Sequence, residues 1–311
     1  MSAFPLLPDG ESPRIVSLIA SATEIVFELG LGPFLVGRSH ECDYPLSVAE
    51  LPCCTRPRFD CSGTSREIDQ LVKCSLHDAL SIYEVFDDVL LRLQPTHIIT
   101  QTQCEVCAVS LRDVERSVAM RLKSCPQIIA LAPNSLADIW DDFRRVADGV
   151  GANAEPVIVR LQSQMADLRV QPEAKPRVAC IEWLEPLMAA GNWVPELVQL
   201  AGGENLFGTA GAHSPWMTWE ELLAADPDII IAMPCGFSVE RTLPEMHWLT
   251  ERPEYPQLHA ARTGQVYVAD GNQYFNRPGP RVVESLRILV DIFAGATSED
   301  SNAFVRMPVL S

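Results

Sequence analysis

Short apolar runs alternate with amphipathic stretches along the whole 311-residue chain. The first run, Arg14-Ile15-Val16-Ser17-Leu18-Ile19, carries β-branched residues and predicts a strand. A helix is expected over 24–29, with Ser21 and Glu24 spaced as a capping box and Gly30 and Gly32 as its C-terminal stop. Residues 35–38 predict the next strand, which leaves His40-Glu41-Cys42-Asp43-Tyr44-Pro45 on a loop. The Pro-, Arg- and Cys-rich stretch 52–65 is expected to be a loop, 81–93 a helix, and 96–100 and 127–131 strands. Helical patterns then occupy 135–148 and 154–170. The second half restarts the rhythm with a strand at 177–181 and a loop-rich stretch at 182–193. A helix at 195–201 is stopped by Gly202-Gly203, and a helix at 219–225 is capped by Thr218. Strands at 228–233 and 265–269 and a helix at 280–294 complete it. Strand, cap, helix, glycine and strand recur in each half, so the pattern predicts an α/β fold of two similar half-domains facing one cleft.

Composition narrows the function classes. At 47% hydrophobic and 21% charged residues the chain is an ordered globular protein. A net charge of −17 argues against nucleic acid, whose phosphates need clustered Lys and Arg. No apolar run reaches membrane-spanning length, so membrane insertion is not expected. The first eleven residues lack a positive n-region and a long apolar core, and do not read as a secretory signal. The expected location is therefore cytoplasmic, and periplasmic or extracellular if an export signal was lost. In a reducing cytosol the ten cysteines would be free thiols or metal ligands rather than disulfides.

Two strand ends deliver cysteine to a loop. The run at 96–100 leads into Gln103-Cys104-Glu105-Val106-Cys107-Ala108-Val109-Ser110, and the run at 228–233 leads into Pro234-Cys235-Gly236-Phe237. Loops at the carboxyl ends of the strands are where open α/β sheets meet their ligands. Cys42, Cys104, Cys107 and Cys235 all fall on such loops, enough for tetrahedral zinc or an iron–sulfur cluster. Cys53, Cys54 and Cys61 are possible substitutes, and the competing reading is that several of these thiols are small buried hydrophobes.

A second constellation is aromatic. Trp183, Trp193, Trp216, Trp219, Tyr274 and Phe275 gather in the loops or element ends of the second half, which suits a large, flat, partly apolar ligand. Core packing is the alternative for each ring. Asn272 to Arg281 follows a strand and opens a helix, with Arg277 and Arg281 as added donors. Phosphate-loop, dinucleotide, nucleophile-elbow and His-Glu-x-x-His motifs are all missing from the sequence, and neither His40 nor His213 has an orienting partner. An enzyme is not expected.

The stretch Arg14 to Glu24 resembles the opening of the cobalamin-binding, periplasmic-binding-protein-like family, the solute receptors of B12 ABC importers. The resemblance continues through Gly37 to Pro45, Gln103 to Ser110, Glu182-Trp183-Leu184-Glu185-Pro186, Gly191 to Glu196, Pro234 to Phe237 and Phe275 to Arg281. It implies two Rossmann-like lobes joined by a single rigid helix, with an N-terminal lobe at 1–134, a helical connection at 135–172 that includes this helix, and a C-terminal lobe at 173–311. It further implies that a corrinoid (cobalamin) or related metal chelate is held between the lobes against Trp183, Trp193, Tyr274 and Phe275 and oriented by Arg277. An ABC transporter permease would be the partner. The alternative is a cytosolic metalloprotein or metalloenzyme in which Cys42, Cys104, Cys107 and Cys235 hold zinc or an iron–sulfur cluster.

Overall fold

The computed structural model describes residues 11–77, 82–102, 113–115, 124–296 and 303–308. The chain divides into two compact units. The first takes residues up to 62, 70–133 and 137–161, and the second takes 63–69, 134–136 and 162 onward.

In the first unit β1 (Ile15–Ser17) runs into α1 (Ala20–Glu28) and returns as β2 (Leu35–Arg38), a right-sized βαβ unit. Further along lie β3 (Thr55–Pro57), α2 (Ser65–His77), whose residues up to 69 count with the second unit, β4 (Tyr83–Val85), α3 (Asp87–Leu93), β5 (His97–Gln101) and β6 (Gln127–Leu131). The helix α4 (Leu136–Val150) follows, and then α5 (Glu155–Leu168), which passes from this unit into the second after residue 161. The main sheet has the order β2-β1-β5-β6 and is parallel throughout, with Val16 beside Ile98 and Ile99 beside Ile129. Every residue of β1 and β5 is buried, as strands covered on both faces must be.

Three local expectations give way here. The loop at 52–65 and the start of the helix at 81–93 instead supply β3 and β4, an antiparallel pair in which Thr55 faces Val85. Arg56 and Glu84 form an ion pair across it at 2.7 Å, and the Phe86 N–H donates to the Cys54 carbonyl at 2.8 Å, so the helix starts only at Asp87. Ser21 and Glu24 do not form a capping box. The helix already begins at Ala20 on Ile19, whose side chain caps nothing, and both residues are buried within it. Gly30, at φ +75, does stop α1 as its spacing suggests. A capping box that the periodicity reading passed over opens α2, where Thr64 and Glu67 exchange bonds at 2.9 and 3.3 Å.

The second unit contains β7 (Arg177–Trp183), β8 (Met188–Ala189), α6 (Val194–Leu200), β9 (Glu204–Asn205), α7 (Trp219–Ala225) and β10 (Ile229–Ala232). It continues through α8 (Val239–Glu245), α9 (His247–Thr250), α10 (His259–Arg262), β11 (Val266–Ala269), α11 (Val282–Phe293) and β12 (Phe304–Arg306). The sheet order is β12-β11-β10-β7-β8, with β9 also on β7. Strands β7, β10 and β11 are parallel, while β8 and β12 are antiparallel to their neighbours. One core packs Ala179, Ile181, Ile230, Ala232, Val266 and Val268 of the strands against Trp219, Leu222, Met246 and Leu258. The expected box on α7 is complete: the Glu221 N–H donates to Thr218 Oγ1 at 3.2 Å and the Thr218 N–H to Glu221 Oε2 at 2.7 Å.

Two outcomes follow from this packing. Thr218→Ala removes the cap acceptor and is expected to cost about 1 kcal/mol in urea denaturation. Asp142 on α4 is wholly buried; Arg145 bonds one carboxylate oxygen, and Oδ2 has no hydrogen-bond partner among the described residues. Burial pushes its pKa from 3.8 up to about 7, helped by Asp138 and Asp141 and opposed by Arg145 and the Ala132 amide. The folded state therefore holds a proton that the unfolded state has released, and stability falls as pH rises between those two values. Asp142→Asn is expected to flatten that slope and, above pH 7, to raise the thermal midpoint by about 2–4 °C in differential scanning fluorimetry.

Candidate functional site

Strands β7, β10 and β11 of the second unit run side by side in the same direction, so their carboxyl ends open onto one set of loops. Sheet bonding carries on past β10: the Met233 N–H donates to the Ile181 carbonyl at 2.8 Å and the Cys235 N–H to the Glu182 carbonyl at 3.1 Å. Trp183, the last residue of β7, stands edge-on to Phe237 with ring centroids 5.4 Å apart. The Arg241 guanidinium lies over the same Phe237 ring, 3.8 Å from its centroid. The Trp183 indole N–H is buried and has no acceptor among the described residues.

After β11 the chain makes one wide helical turn, Gly271–Phe275. Asp270 caps it by accepting the Gln273 N–H at 2.7 Å. The turn is laced onto the exit of β10, since the Asn272 N–H donates to the Phe237 carbonyl at 3.1 Å and the Asn276 amide to the Met233 carbonyl at 3.2 Å. Only glycine fits at 271, because a Cβ there would press into the Met233 and Pro234 carbonyls.

The five residues expected to contact a ligand all belong to this unit. Trp193 and Phe275 hold each other: the indole Nε1 donates to the Phe275 carbonyl at 3.1 Å, and the two are 5% and 1% exposed. Arg277 is buried and donates to Asn272 Oδ1 at 3.1 Å. Trp183 is buried as well, whereas Tyr274 is half-buried. Trp216, which sequence reasoning grouped with the aromatics without assigning it a contact, is 57% exposed. Its backbone bridges Met188, which itself pairs with Trp183, so the residue lies at the same sheet end.

The thiols are differently placed. Cys104 and Cys107 lie outside the described residues. Cys42, in the first unit, is 2% exposed, with the Thr23 and Ser39 hydroxyls 3.0 and 3.2 Å from its sulfur. Burial raises its pKa and outweighs those hydroxyls, so the group is a resting thiol rather than a thiolate. Burial likewise pushes Cys54 and Cys180 up to about 12. His40 is neutral at pH 7, its pKa lowered by burial and then by Arg38, and its Nδ1 is 2.8 Å from Thr55 Oγ1. Cys235 is a half-buried free thiol of the second unit. Among the described residues no group of three His, Cys, Asp or Glu side chains is arranged to hold a metal ion, and the zinc or iron–sulfur alternative finds no support in them.

Known proteins give this geometry a context. A match to the periplasmic binding protein family spans residues 15–272. A vitamin B12-binding protein of Vibrio cholerae is 25% identical over 281 residues, which covers 88% of this chain and 86% of that protein. Among solved structures, the periplasmic vitamin B12 binding protein BtuF of Vibrio cholerae superposes with a TM-score of 0.63 at 21% identity, over 91% of this chain and 97% of that one. The periplasmic heme-binding protein RhuT of Roseiflexus sp. RS-1, in its apo form, does so with a TM-score of 0.66 at 23% identity, over 91% and 98%. At such identities the structural likeness speaks for the fold, here two α/β units. These relatives are binding proteins and not enzymes, in keeping with the missing catalytic motifs. They also correct the expected cytoplasmic location, because the matched family and the solved relatives are periplasmic binding proteins. Matched across most of its length, the chain belongs to the periplasmic binding protein family.

Proposed function

We propose that this protein is the solute receptor of an ABC importer and that its ligand is a corrinoid, cobalamin in the first instance, or a related metal chelate. The observation that carries the reading is the likeness over 88% of the chain to a protein named for binding vitamin B12. The carboxyl-end loops of β7, β10 and β11 support it, since they offer the half-buried Tyr274 and the Trp183–Phe237 pair, with the exposed Trp216 on the segment that bridges Met188. Aromatic faces bury a large flat ring system well, and a loop already laced by hydrogen bonds loses little freedom on binding. In this reading Trp193, Phe275 and Arg277 support the loop from beneath, and Tyr274, Trp183 and Trp216 meet the ligand. A transporter permease is the partner to which the loaded receptor delivers. Heme stands as the comparison ligand, because a structural relative is a heme-binding protein.

The test is a titration of the purified protein with cyanocobalamin and, separately, with hemin, followed by absorbance and gel filtration. Co-elution of one cobalamin per chain is the expected result. Retention of hemin alone would reassign the ligand within the same class of metal chelates, and binding of neither would overturn the reading. Tyr274→Ala and Trp216→Ala are each expected to weaken the affinity about tenfold, equivalent to about 1.4 kcal/mol, with the thermal midpoint unchanged.

A further inference from the structure

Arg281 stands immediately before α11 as its N-cap residue and reaches back onto the Gly271–Phe275 turn twice. Its Nη1 donates to Gln273 Oε1 at 3.2 Å, and its guanidinium carbon lies 5.5 Å from the centroid of the Tyr274 ring. Gln273 is gripped from the other side by Asp270. One Asp270 oxygen accepts the Gln273 backbone N–H at 2.7 Å, and the other accepts the side-chain Nε2–H at 3.1 Å. The Gln273 amide thus bridges a carboxylate and a guanidinium that are 1% and 7% exposed. Ser285, on α11, adds a tie between the same segments: its Oγ is 2.8 Å from the Tyr274 carbonyl and 3.0 Å from that of Arg281.

These contacts leave Tyr274 with its backbone pinned and a cation over its ring, while the ring itself stays half-buried. Burial of a guanidinium is costly unless its donors and its charge are matched. Two of these contacts, to Gln273 and Tyr274, fall on the turn, so the burial of Arg281 is linked to the turn keeping its shape. The neighbouring Arg277 is tied instead to Asn272.

We propose that Arg281 is a positioning residue for ligand binding, which fixes the Tyr274 ring through the Asp270–Gln273–Arg281 bridge so that a ligand docks on an aromatic face already ordered. The inference rests on the reading of Tyr274 as a ligand contact. Ordering of a side chain before binding strengthens affinity by removing a cost otherwise met on association.

A double-mutant cycle separates this role from simple structural support. Full-length wild type, Arg281→Met, Tyr274→Ala and the double variant are titrated with cyanocobalamin and with hemin, and their thermal midpoints are recorded. Arg281→Met is expected to weaken binding about tenfold when Tyr274 is present and about twofold or less when it is already alanine. Arg281→Lys, which keeps a cation over the ring, is expected to recover part of the loss. Equal weakening in both backgrounds, or no weakening at all, overturns the proposal. If Arg281→Met does not fold, Gln273→Met cuts the bridge while leaving the guanidinium, and the same dependence on Tyr274 is expected of it. Wild-type protein that binds neither probe overturns the functional reading and this inference with it, a result distinct from a wild type that binds and an Arg281 variant that binds equally well.

Discussion

The parallel pairing of β10 with β7 on one side and β11 on the other is the constraint from which the second unit's chemistry follows. Because Ile231 is level with both Cys180 and Tyr267, the three strands end together and their loops leave the sheet at one edge. Two further hydrogen bonds, from Met233 to Ile181 and from Cys235 to Glu182, zip β10 to β7 beyond the regular ladder. That extension sets Phe237 against Trp183 and supplies the carbonyls to which Asn272 and Asn276 are tied. A one-residue slip of β10 would turn its own side chains to the other face of the sheet and break this arrangement.

The same geometry explains an apparent contradiction in charge. A chain of net charge −17 places Arg241, Arg277 and Arg281 around one loop edge. None of the three is simply a surface cation there. Arg241 covers a phenyl ring, Arg277 holds an asparagine and Arg281 holds a glutamine and a tyrosine. Their planar forks act as braces, a use for which lysine has neither the shape nor the number of donors.

Much of the fold was legible because it rests on local rules. Short runs rich in Ile and Val mark β1, β5, β7 and β10, and Thr218 with Glu221 marks the start of α7. The misreadings share a cause, namely that a tertiary partner overrode a local signal. Ser21 and Glu24 have the spacing of a cap, yet the tight exit from β1 draws the helix start back to Ala20. Tyr83-Glu84-Val85 joins a helical pattern on paper, but Thr55–Pro57 is there to pair with it. For the candidate site, the sequence pointed to the loops that follow β7, β10 and β11 but could not rank their side chains. Trp193 and Trp216 are the same residue type in the same half, and only the fold shows one at 5% exposure with its indole bonded and the other at 57%. The same limit applies to the thiol Cys42. A cysteine on a loop such as Cys42 looks available until its surroundings show a buried, protonated group.

The bond from the Trp193 indole to the Phe275 carbonyl also makes the protein its own instrument. Indole emission responds to the hydrogen bond at its nitrogen and to the polarity around the ring. Here that nitrogen is wired to the last residue of the Gly271–Phe275 turn. Any rearrangement of the turn would therefore be written into the colour of the protein's intrinsic fluorescence, with no label attached.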